Sequence, residues 1–135
     1  MLAHTTTESS ESLSHIAPVF RVVDLSRSLA FYRDQLGFTV EFVYESFYAG
    51  VCRDGCHIHL KCSPPPARDQ TGFEREEQLD VYIAVHSAET LSESFASAGV
   101  DFVVPLRHMP YGTEFYIRDP DGYVLGFVQS TPPTR

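Results

Sequence analysis

The stretch VFRVVDLSRSLAFYRDQLGF, residues 19–38, carries two periodicities back to back, with a boundary signal at each change. Val19 to Val23 is rich in β-branched residues and predicts a strand, which starts upstream at His15. Asp24 is a helix N-cap residue, and Leu25, Leu29, Tyr32 and Leu36 follow at the spacing of one helical face. Gly37 then ends the helix, since the residue past a helix terminus commonly turns left-handed, which costs glycine nothing. Three short strands are expected downstream, Phe38 to Tyr44, Phe47 to Arg53 and Cys56 to Cys62, the last two joined by the hairpin pair Asp54-Gly55. Residues 15–62 therefore read as one βαβββ module.

The same order returns after a break. SPPPARDQTGFEREEQ, residues 63–78, has three consecutive prolines followed by a charge cluster and reads as a linker. Beyond it come a strand from Leu79 to Val85, a helix capped near Ser87 with Leu91, Phe95 and Ala98 on one face, and Gly99. Strands are then expected at Val100 to Leu106, Thr113 to Arg118 and Tyr123 to Gln129. Leu29 and Gly37 recur as Leu91 and Gly99, and Arg53-Asp54 recurs as Arg118-Asp119, which marks a repeat. The expected fold class is α+β: two βαβββ modules, 15–62 and 79–129, each a cupped mixed sheet with its helix on the convex side. Polar tails at 1–14 and 130–135 flank them, and the first is expected to be a disordered cap, since it has neither the basic nor the apolar region of a secretory signal.

Composition narrows the function. The 135 residues carry 10 Lys and Arg against 18 Asp and Glu, a formal net charge of -8, which repels nucleic acid and anionic membranes and favours cationic ligands. No apolar run is long enough for a membrane-spanning helix. Cys52, Cys56 and Cys62 are an odd set matching no disulfide framework, so a cytoplasmic location is expected. Zinc is not expected in the Cys-His crowding of residues 52–62, because alternation puts Cys56 and Cys62 on one strand face and His57 and His59 on the other.

VFRVVDLSRSLAFYRDQLGF (19–38), AGVCRDG (49–55) and GTEFYIRDPDGYVLGFVQ (112–129) together resemble the vicinal oxygen chelate superfamily. This group includes glyoxalases, extradiol dioxygenases and bleomycin resistance proteins. The combination of D-L-x-x-S-L-x-F-Y in the first helix with R-D-P-D-G before the final strand carries the resemblance, which spans about Ile16 to Gln129. Metal-dependent members ligate a divalent ion at positions that fall here on Ala17, His59, Asp80 and Gly126; counting from the repeat selects Leu79 in place of Asp80. Ala17 and Gly126 have no donor side chain, so His59 and Asp80 are the two metal candidates and no cofactor is expected. AGVCRDG, the Pro110-Tyr111-Gly112-Thr113-Glu114-Phe115 segment and the missing donors resemble the bleomycin resistance proteins. The resemblance implies a homodimer, by strand or module exchange, whose groove sequesters an antibiotic-type small molecule. The alternative it implies is a metal-dependent lyase, isomerase or dioxygenase.

The binding residues expected are Phe38, Phe42, Phe47, Tyr48, His59, Asp80, Tyr82, His108, Tyr111 and Glu114. The chain has no Trp, so aromatic stacking falls to Phe and Tyr. Strict alternation puts Phe38, Phe42 and Tyr44 on one face of the second strand, in the cup or in the core. Asp80 and Glu114 would draw a cation, with Arg21 or His59 as a partner for Asp80, and Arg118 is expected to brace the R-D-P-D-G turn. No catalytic residue is assigned.

Overall fold

Each module folds in the order its residues dictate. In the computed structural model, which describes residues 11–132, β1 (Val19–Val22) leads into α1 (Leu25–Ala30) and then β2 (Thr39–Tyr44), β3 (Tyr48–Arg53) and β4 (Cys56–Cys62). A short α2 (Gln70–Arg75) precedes β5 (Val81–Ala84), α3 (Ala88–Ser97), β6 (Asp101–Met109), β7 (Gly112–Arg118) and β8 (Val124–Ser130). The two four-stranded sheets have matching orders, β1-β4-β3-β2 and β5-β8-β7-β6. In each, the first strand runs parallel to the last and the other pairs are antiparallel.

The boundary signals act as expected. Asp24 accepts from the Arg27 N–H at 3.1 Å, and Ser87 from the Thr90 N–H at 3.3 Å. Past Ala30 the helix widens into a π-helical segment over Phe31–Gln35, where Phe31 and Tyr32 enter the core, and Gly37 turns out at φ +77°. Asp54 and Gly55 both take positive φ, as a tight two-residue hairpin turn requires. The strand expected from His15 begins only at Val19.

The helix-covered faces of both sheets meet in one core. Phe20, Val22, Val51 and Leu60 from the first join Phe115, Ile117, Leu125 and Phe127 from the second around α1 and α3. The two sequence motifs are physically one feature. Asp119, buried in the R-D-P-D-G turn, accepts the Tyr32 hydroxyl at 2.7 Å and the N–H groups of Asp121 and Tyr123 at 2.9 Å. Asp121 accepts from the Val23 N–H at 3.1 Å, Ser28 Oγ at 3.3 Å and Arg27 at 3.2 Å. The turn before the last strand thus fastens the start of α1, which is why the Ser and Tyr of one motif accompany the two Asp residues of the other. Burial outweighs the three donors and pushes the Asp119 carboxyl up to about 6.

Three further expectations change. Residues 63–78 are not a plain linker: Asp69 caps α2 by accepting the Gly72 N–H at 3.1 Å, and Phe73 on that helix packs with Val104, Tyr116 and Val124. Phe38 does not share a face with Phe42, because a bulge between Val40 and Phe42 reverses the alternation of β2. Phe38 and Val40 therefore turn to the core, while Phe42 turns to the concave face. Arg118 does not brace its own turn; it binds Glu74 of α2 and Asp101 of β6.

Candidate functional site

The concave face of the first sheet is open and aromatic. Phe42, Tyr48 and His59 converge there: Phe42 lies edge to face with His59 at 5.5 Å and stacks on Tyr48 at 6.2 Å. The Tyr48 hydroxyl is 2.8 Å from His59 Nδ1, which orients the imidazole. Gly50, directly opposite both Phe42 and His59 in the sheet, makes the cluster possible. A Cβ on it would stand 2.3 Å from the Phe42 ring. Phe47 joins at 6.4 Å from Tyr48, with the Lys61 ammonium 5.8 Å from its ring centre. Phe42, Tyr44 and Phe47 remain 42%, 61% and 45% exposed, an unusual amount of accessible ring surface for one side of a four-stranded sheet.

The concave face of the second sheet is filled by the chain itself. Leu79 lies over Gly126, so close that a Cβ there would meet Leu79 Cδ1 at 2.6 Å. Phe73 packs beside it, and the Arg68 guanidinium stacks 3.5 Å above the Phe73 ring. The polar groups are paired. Glu114, 1% exposed, accepts from Arg107 Nε at 2.8 Å and the Tyr111 hydroxyl at 2.6 Å, and Arg107 also grips Glu77 at 2.8 Å. The bond to Glu114 pushes the Tyr111 hydroxyl up to about 12, and Arg107 holds Glu77 below the usual carboxylate range. Asp80 forms a two-pronged pair with Arg68, 2.8 and 2.9 Å, and also accepts the Val124 N–H at 2.8 Å.

The expected binding residues therefore divide. Phe42, Phe47, Tyr48 and His59 come together on the open face, and Phe38 lies on the opposite side of that sheet. There it borders a cleft of about 460 Å³ that α3 and β5 also line, with Arg53, His86 and Phe127 at its walls. Asp80 and Glu114 lie on the second sheet, already neutralised by Arg68 and Arg107 rather than by Arg21 or His59. Tyr82 is 56% exposed and Tyr111 50% exposed near that sheet, and His108 sits 3.0 Å from Thr113. Gly50 is the position that the residue-by-residue reading overlooked. Its signal was present, since glycine inside a strand marks a close approach.

The four positions at which metal-dependent relatives carry ligands do not converge into a donor set. Ala17 and Gly126 offer no donor, Leu79 occupies the space over Gly126, and Asp80 is committed to Arg68. His59, the remaining donor, is held by Tyr48.

Comparison with known proteins agrees with this architecture. Residues 12–127 match the family described as the Glyoxalase/Bleomycin resistance protein/Dioxygenase superfamily. Among solved structures, the bleomycin-binding protein from bleomycin-producing Streptomyces verticillus, complexed with copper(II)-bleomycin, is 25% identical with a TM-score of 0.66, covering 90% of this chain and 99% of that one. TnmS3, an antibiotic binding protein from Streptomyces sp. CB03234, is 19% identical with a TM-score of 0.67 over 90% of this chain and 99% of its own. UcmS2 is 22% identical with a TM-score of 0.70, covering 89% and 100%. Among curated protein sequences none matches this chain.

Proposed function

The chain belongs to the Glyoxalase/Bleomycin resistance protein/Dioxygenase superfamily, and on that premise we propose that it is a non-catalytic protein that sequesters an aromatic small molecule of antibiotic type. The observation that carries this reading is the exposed ring cluster of Phe42, Phe47 and Tyr48 around His59 on the concave face of the first sheet. Rings already fixed edge to face and by the Tyr48 to His59 contact bind a planar ligand without first losing side-chain entropy. The filled second face supports binding over metal-assisted chemistry, because Leu79 and Arg68 occupy what a ligand set would need.

The same geometry refines the ligand. With Asp80 and Glu114 both paired, recognition rests on stacking and apolar contact, and the chain's negative charge acts only as a weak long-range attraction for cations. A single sheet face covers one side of a ligand, so a second copy of the chain is needed to close the groove, and the protein works as a homodimer in the cytoplasm.

A thermal-shift screen against bleomycin and a panel of polycyclic aromatic antibiotics tests the reading. A ligand at a hundredfold excess over its Kd stabilises the native state by about 2.7 kcal/mol. At least one member should raise Tm in wild type and leave Phe42→Ala unmoved. Binding that survives Phe42→Ala, or turnover of the compound on incubation, would contradict the proposal.

A further inference from the structure

We propose that Glu41, Cys52 and His57 form a binding site for a zinc-type divalent metal ion, distinct from the positions used by the metal-dependent relatives. The three residues come from adjacent strands. Cys52 of β3 stands directly opposite His57 of β4, with Sγ 3.8 Å from Nε2. Glu41 is the extra residue at the β2 bulge, and its Oε1 lies 3.0 Å from His57 Nδ1. Among the described residues this is the one group of three His, Cys, Asp or Glu side chains with donor atoms all within 4.8 Å of one another.

Geometry and chemistry agree on the ion. With Zn–S near 2.3 Å and Zn–N near 2.0 Å, two donors on a tetrahedral ion lie about 3.5 Å apart, close to the observed sulfur-to-nitrogen separation. A thiolate, an imidazole and a carboxylate select zinc over magnesium or calcium, which take oxygen sets. A hydrogen bond accounts for the Glu41 oxygen at Nδ1 but leaves Nε2 facing a thiol, a weak partner; a metal ion held between Nε2 and Sγ uses both of those atoms. The His57 side chain is 14% exposed, and the His15 ring stacks on it at 3.8 Å, so its plane is fixed. Glu41, 38% exposed, faces Nδ1 on the other edge of the ring, and its flexible side chain swings from there to bring an oxygen to an ion bound at Nε2. Three protein donors leave a fourth position open to water on the same concave face as the aromatic cluster. The site does not depend on the antibiotic-binding reading.

The test is a cobalt(II) titration of the full chain prepared free of metal. Wild type should develop sulfur-to-cobalt charge-transfer absorption saturating at one equivalent and bleached by zinc. Cys52→Ser should abolish the band, and His57→Gln should weaken zinc binding at least tenfold. Cys56→Ser, at the exposed neighbouring thiol, and His59→Ala, at the family position, should retain it. No charge-transfer band in wild type overturns the proposal. So does a band that persists in Cys52→Ser, or one lost in Cys56→Ser or His59→Ala, with circular dichroism confirming that each variant is folded.

Discussion

The two sheets of this chain are built to one plan and finish differently. At the pseudo-equivalent position of the last strand in each module, the first carries His59 and the second Gly126. Around His59 the rings of Phe42 and Tyr48 gather and stay accessible; over Gly126 the chain lays Leu79 and the α2 segment. A duplicated module thus gives one face to solvent and closes the other with side chains from the connecting segment. The family scaffold does not by itself make a site. What covers each concave face decides whether it can bind anything.

That contrast can be broken most forcefully at the buried ion pair of the closed face. Glu114→Ala leaves Arg107 with Glu77 alone and opens a polar hole under Tyr111 and Tyr116, so chemical denaturation should register a loss of about 3 kcal/mol or more. A smaller effect is expected from Gly126→Ala, about 1 to 3 kcal/mol, because the new methyl pushes on Leu79, which is packed against the Val104, Tyr116 and Val124 cluster. Adding Leu79→Ala should recover part of it in a double-mutant cycle. Gly50→Ala should cost less than Gly126→Ala despite its closer clash, since the exposed Phe42 ring can swing into solvent. Equal costs at the two glycines would erase the distinction between an open and a closed face.

The seam between the modules has a pH signature. Asp119 has its folded pKa raised to about 6 from an ordinary value of 3.8, so the native state holds that proton more tightly than the unfolded chain. Its stabilising contribution is complete below the unfolded pKa and is lost as pH rises through about 6; from pH 7 to pH 5 the protein should gain about 1 kcal/mol from this group. Glu74 and Glu77 act in the opposite sense. Held below their usual range by Arg118 and Arg107, they lose their contribution as pH falls through the depressed folded values. Stability should therefore peak on the acid side of neutrality. In Asp119→Asn the gain from pH 7 to pH 5 should vanish. The smallest stability change belongs to Phe42→Ala, within about 1 kcal/mol for a half-exposed ring, although the same variant should lose ligand binding.

Much of this was legible before any coordinates. Periodicity, the Asp24 and Ser87 caps and the Asp54-Gly55 hairpin delimit the elements because each rests on local chemistry. Two features were not legible, and both govern the site. The bulge at Glu41 inserts one residue with no compositional mark, yet it reverses every side chain before it, sending Phe38 to the core and separating it from Phe42. The helix in residues 70–75 hides among prolines and charges, because its apolar content is chiefly Phe73, and that single ring closes the second face together with Leu79. For the same reason the sequence offers Asp80 the wrong partners, Arg21 or His59, and Glu114 none. Their partners Arg68 and Arg107 lie 12 and 7 residues away, and only the fold brings them within reach. Cys52 and His57 lie on different strands, so alternation along one strand says nothing of their relation, whereas cross-strand register places them face to face.

The open first face as the binding surface is tested most directly by chemical-shift mapping of the isotopically labelled chain with whichever compound of the antibiotic panel raises Tm most. The account predicts perturbations centred on Phe42, Tyr48, Gly50 and His59, with further shifts where a second copy closes the groove. Shifts centred on Glu114 and Leu79, or on the cleft beside Phe38 and His86, would contradict it.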